Sequence, residues 1–181
     1  MKKMAKGMPP SLLLLLFLSL HCRGETIFPS FAEAPHNYWK QEPHDLFTKI
    51  KADLGSGRLS LDTSSEKAFV TAILKALDIP VSSQLLVFST TSLQLRLINY
   101  RNPRALYFNE EIYLGWVPNG KIEVISIDPD IGGVFHILNI PRTPQPPVIE
   151  RSTRCMNCHA GHDVGRVPVL LSQSVVPGPN G

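Results

Sequence analysis

The chain has 181 residues, 43% of them hydrophobic and 18% charged, with 16 prolines, 12 glycines, three cysteines and a formal net charge of +3. That length suits one domain, or one domain with a tail. The balance excludes a collagenous, coiled-coil or polytopic membrane protein and wholesale disorder, and three cysteines are too few for a disulfide scaffold.

The leading residues read as a targeting segment. Lys2, Lys3 and Lys6 precede an apolar run from Ser11 to Leu20, and Cys22-Arg23-Gly24 places small residues three and one before a cut after Gly24. This is the pattern of a secretory signal peptide, residues 1–24. The alternative is an uncleaved N-terminal anchor, but the run falls short of the roughly 20 residues of a membrane span. A lipid on Cys22 is disfavoured by the preceding Ser19-Leu20-His21. The segment holds four of the 18 basic residues and none of the 15 acidic ones, so residues 25–181 carry 14 against 15, a net charge of −1. No basic run with interleaved aromatics survives, and nucleic-acid binding has no electrostatic footing.

Residues 25–42 form an irregular, proline-bearing lead-in. From Asp45 to Leu54 the apolar residues recur at helical spacing, and Gly55-Ser56-Gly57 ends the run. Thr63-Ser64-Ser65-Glu66 matches a capping box, with Thr63 as cap, ahead of the apolar face Phe69, Val70, Ile73, Leu74 and Leu77. Pro80 blocks continuation. The period then becomes extended. Residues 84–89 read as a mostly buried strand, residues 90–103 are ambiguous, and four strands follow at 105–108, 112–117, 122–127 and 133–138. Short links, among them Asn119-Gly120 with its tolerance of positive φ, imply antiparallel neighbours. Trp116, Tyr107, Tyr113 and Phe108 lie at spacings expected of a core, and Glu110-Glu111 is expected in a solvated turn. The expected class is α+β: two N-terminal helices followed by an antiparallel strand meander. Residues 25–140 form that domain, and 141–150, with Pro141, Pro144, Pro146 and Pro147, form a proline-rich linker or strap. Residues 151–181 follow as a separate segment. They end in Pro177-Gly178-Pro179-Asn180-Gly181, a turn rather than a domain end, as expected of a truncated chain.

Cleavage after Gly24 leaves only Cys155 and Cys158, in the sequence Cys155-Met156-Asn157-Cys158-His159. This is the C-x-x-C-H pattern of covalent haem attachment. Two thiols three positions apart can each form a thioether with one of the two vinyl groups of a single haem, and the next histidine is held beneath the ring. Three other readings compete. A thioredoxin-like dithiol would need a surrounding βαβ pattern, a zinc site would need a fourth ligand beside Cys155, Cys158 and His162, and a Cys155–Cys158 disulfide is geometrically tight.

The five residues resemble the haem-attachment motif of c-type cytochromes. The resemblance implies one covalent haem c per chain, with Cys155 and Cys158 as its thioether anchors and His159 as proximal iron ligand. It also implies maturation outside the cytoplasm, in the periplasm or an equivalent space, which agrees with the leading segment. Residues from about Glu66 to Leu171 resemble secreted bacterial proteins of undetermined activity that bear one such motif. The familiar cytochrome folds do not transfer, because the motif lies late in the chain and strands dominate.

Met156, the one methionine left after cleavage, sits inside the attachment loop and cannot reach the opposite face of the same ring. His162 is three residues past His159 and is expected in solvent or near a propionate. His136, on a strand with Val134 and Leu138 as period-two neighbours, is the candidate distal ligand; its alternative is a hydrogen-bonded core histidine. Arg151, Arg154 and Arg166 flank the motif as candidate propionate partners. The expected function is single-electron transfer by an exported monohaem protein with an unidentified redox protein as partner. Membrane contact is expected only if the leading segment stays uncleaved. The alternatives are a haem enzyme or gas or redox sensor with an open iron position, and a partner-binding module with an accessory haem.

Overall fold

A computed structural model of the chain describes residues 30–141 and 146–170; the leading segment and the terminal turn lie outside the described residues. Helix α1 (Leu46–Gly55) forms on the expected spacing, and the Asp45 carboxylate caps it by accepting from the Thr48 amide at 3.0 Å. Helix α2 (Glu66–Ala76) buries Phe69, Val70, Ile73 and Leu74. Its cap is a correction. Ser65, not Thr63, accepts from the Ala68 amide at 3.0 Å, and Glu66 turns away to accept the Asn119 amide at 2.9 Å. A tertiary partner has taken the carboxylate that the capping box required. Ser65→Ala is therefore expected to cost about 1 kcal/mol and Thr63→Ala within about 0.5 kcal/mol, as read by urea unfolding.

Six strands form one sheet in sequence order: β1 (Leu85–Val87), β2 (Arg104–Phe108), β3 (Ile112–Trp116), β4 (Ile122–Asp128), β5 (Gly132–Leu138) and β6 (Ile149–Arg151). Every neighbouring pair is antiparallel, so helices followed by a meander give the expected α+β class. Val117 to Gly120 close the β3–β4 hairpin, with Asn119 alone taking the positive φ of 64° behind Pro118.

Three expectations need correction. β1 is not buried: Leu85 and Leu86 are 56% and 45% exposed. β6 was not expected; it pairs with β5 where Ile149 emerges from the proline-rich strap, so the motif segment is hydrogen-bonded to the sheet. Phe108 and Tyr113 do not join Tyr107 and Trp116 in the main core, but stack on each other at 5.9 Å with Phe108 exposed.

Alternation divides the sheet into two faces. On one, Tyr107, Leu114, Val124 and Leu138 pack with Phe47, Phe69 and Ile73 of the helices. On the other, Phe135 packs with Tyr38, Met156 and Ala160, flanked by Phe31, Trp39 and Ile125. The lead-in supplies the aromatic part of this second cluster. Tyr38 donates its hydroxyl to the Gly133 carbonyl at 2.7 Å, which fastens the lead-in to β5. Among the described residues, no helix is long and apolar enough to cross a membrane.

Candidate functional site

The motif folds as one helical turn, α3 (Met156–His159), with Cys155 at its N-terminal cap. On a helix, positions i, i+3 and i+4 share a side. Cys155, Cys158 and His159 are such a set, while Met156 and Ala160 form an i, i+4 pair rotated toward the sheet. Burial follows that rotation. Met156 and Ala160 are buried, His159 and Cys155 half-buried, and Cys158 exposed. The sequence thus uses its two small or apolar positions to seat the turn, leaving Cys158 in solvent and Cys155 and His159 half-buried at its margin. Both thiols are free.

His159 is fixed from two directions. Its ring packs on that of Phe135 with centroids 4.6 Å apart. Its Nδ1 lies 2.9 Å from the Val169 carbonyl, which can only accept, so the proton sits on Nδ1 and the lone pair on Nε2. The Val169 amide in turn donates to the His159 carbonyl at 2.8 Å, closing a reciprocal clamp around the residue. Burial lowers the pKa of His159, opposed by the Val169 carbonyl, and favours the neutral imidazole. Burial pushes the Cys155 thiol up, against the influence of the neighbouring Ser152 hydroxyl. Gly133 makes room for this packing, because a Cβ there would lie 3.2 Å from the Phe135 ring. Phe135 and Val169 escaped the sequence reading. One is hidden among the apolar residues Val134, Ile137 and Leu138 on β5, and the other acts through its backbone, which carries no sequence signal.

His136 is the principal correction. Its register partner is Val124, and its ring packs against Phe47 of α1 at 5.0 Å, so it belongs to the helix-side core. His159 lies on the other face with Phe135, and the sheet separates the two imidazoles. This withdraws His136 as a distal ligand to a ring held by His159. It is a buried core histidine whose Nδ1 has no hydrogen-bond partner. Burial lowers its pKa to about 4, opposed by Asp45 and reinforced by Lys51 and Arg151. The unfolded state therefore binds the extra proton first as pH falls, and stability is lost from about pH 6.5 down to pH 4, by on the order of 3 kcal/mol. Acid titration followed by circular dichroism checks this. His136→Leu is expected to flatten most of that limb, leaving the part due to His159.

The arginines differ in availability. Arg151 is committed, donating to the Tyr38 and Gln41 carbonyls at 2.9 and 3.1 Å and stacking on the Tyr38 and Trp39 rings, which withdraws it as a propionate partner. Arg154 and Arg166 are exposed. Arg154 helps line a cleft of about 800 Å³ with Glu123, Ile137, Gln94, Leu97 and Glu66. His162 is exposed, 4.0 Å from Asp163. No group of three or more His, Cys, Asp or Glu side chains among the described residues converges to hold a metal ion, so Cys155, Cys158 and His162 do not assemble a zinc site. Compared with protein families, curated proteins and solved structures, the chain matches none.

Proposed function

We propose that this chain is an exported monohaem c-type protein that carries single electrons, with Cys155 and Cys158 as thioether anchors and His159 as the proximal iron ligand. One observation carries the reading: the two free thiols and the imidazole share a side of one turn, with Nδ1 of His159 tied to Val169 and Nε2 left to bind a metal. A carbonyl on the far ring nitrogen is the outer partner that orients a metal-binding histidine and fixes its tautomer. Haem c, when bound, would supply the redox couple of its iron. The chain's own residues do the rest. Phe135 and Val169 hold the imidazole, Met156 and Ala160 seat the turn, and the exposed Arg154, which lines the cleft, is a cation available to a propionate. Expression with a haem-maturation system, followed by a pyridine haemochrome spectrum and an intact mass, tests the assignment. A polypeptide at its bare peptide mass would overturn it.

A second reading is favoured by a specific finding. His136 lies across the sheet and Met156 is buried against Phe135, so both residues weighed as distal ligands are out of reach. That supports a haem sensor or enzyme with an open iron position. Rapid change of the ferrous spectrum on adding carbon monoxide would favour it; an unresponsive spectrum would favour the carrier.

A further inference from the structure

The two ends of the sheet are guarded differently. At one end β6 carries Glu150 and Arg151, and Arg151 pins the lead-in against it through two backbone carbonyls. Charge and cover are among the devices by which natural sheets keep an edge strand from pairing with another chain. At the other end, among the described residues, β1 pairs only with β2. From Ile79 to Leu95 the chain has no Asp, Glu, Lys or Arg. Nine large apolar residues are exposed among those described, and five lie on β1, immediately around it or at the end of its partner strand: Val81, Leu85, Leu86, Phe88 and Phe108. Both faces of β1 contribute, since Leu86 and Leu85 alternate across it.

We infer that β1 is the homodimerisation edge, where a second copy of this chain adds its own β1 antiparallel and extends the sheet from six strands to twelve. A two-fold interface must be complementary to itself. An edge that carries charge meets the same charge in its twin, whereas this edge carries none and offers apolar side chains on both faces. The net charge, +3 over 181 residues and −1 over residues 25–181, adds little long-range repulsion between copies. Centred on Leu86, the pairing sets Leu86 against its twin and Leu85 against the second copy's Val87. Backbone bonds would supply the pairing and the leucines its register. The inference is independent of the haem assignment, because β1 ends the sheet while α3 packs on β5, four strands away.

Sedimentation equilibrium on the purified protein tests it. The expected mass is that of two chains. Leu86→Lys and Leu86→Glu, each at a half-exposed position, are each expected to halve it by setting like charges face to face. An equimolar mixture of the two variants is expected to restore the doubled mass. Val148→Lys, at an exposed apolar position beside the other edge, leaves it unchanged. Without any variant, amide exchange at Leu85–Val87 is expected to slow as protein concentration rises. A wild-type monomer, a dimer indifferent to both Leu86 substitutions, or a mixture that stays monomeric would each overturn the proposal. So would a monomer with Leu85–Val87 protected at every concentration, which would mean that another segment of the same chain covers the edge.

Discussion

Replacing both Cys155 and Cys158 by serine is expected to abolish covalently bound haem while leaving the fold intact. The stability argument rests on exposure. Cys158 faces solvent and Cys155 is only half-buried, so exchanging sulfur for oxygen removes little packing and is expected to cost within about 1 kcal/mol. The chemical argument rests on the turn. Each thiol supplies one thioether on the proposed reading, so either single variant keeps one bond and the double variant keeps none. Retention of pigment by the unfolded polypeptide on a denaturing gel separates the three cases. His159→Ala behaves differently, because it removes the proposed ligand together with the ring that packs on Phe135 and donates to Val169. That variant is expected to lose pigment and also stability. A site that merely used Cys155 and Cys158 as a redox dithiol would show no pigment in the wild-type protein, with the thiols open to alkylation.

The parts of this structure legible in the sequence are those governed by local periodicity. Both helices, the strands β2 to β5 and the turn at Asn119 follow from apolar spacing and turn chemistry. The errors arise where a distant segment decides. Glu66 left its capping box because the β3–β4 turn offered Asn119 as a partner. Gly120 reads as a positive-φ residue but is needed because a side chain there would collide with Gln94 and Val117. β1 looked buried because its residues are apolar, yet it ends the sheet, and position in a sheet is not written in a run of leucines. The motif itself was legible because its chemistry is local to one turn. Its surroundings were not. Alternation on β5 shows that Val134, His136 and Leu138 share a face and that Phe135 lies on the other. It does not say which face the chain revisits after the proline-rich strap. That choice, made where the chain leaves β6 for α3, turned the reading from His136 to Phe135.

Phe135→Ala is accordingly expected to be among the most destabilising single substitutions, at about 3–5 kcal/mol for a fully buried aromatic. Cost alone would not distinguish it, because Phe69→Ala on the helix side of the sheet removes the same ring from an equally buried position. The difference lies in what each ring supports. Phe69 packs within the main core, out of contact with the motif. Phe135 is the platform of the second cluster, where it meets Tyr38, Met156 and Ala160 and holds the His159 ring. Its loss leaves the rest of that cluster, the strand pairing of β6 and the Val169 clamp to position α3. Two readouts separate the variants at matched stability. In protein without haem, alkylation of the half-buried Cys155 is expected to accelerate several-fold in Phe135→Ala and to match wild type in Phe69→Ala. In cells that mature haem c, the pigment bound per folded molecule is expected to fall only in Phe135→Ala. Equal alkylation rates in the two variants would show that the turn keeps its place without the aromatic floor, and that the second cluster stabilises the fold without organising the site.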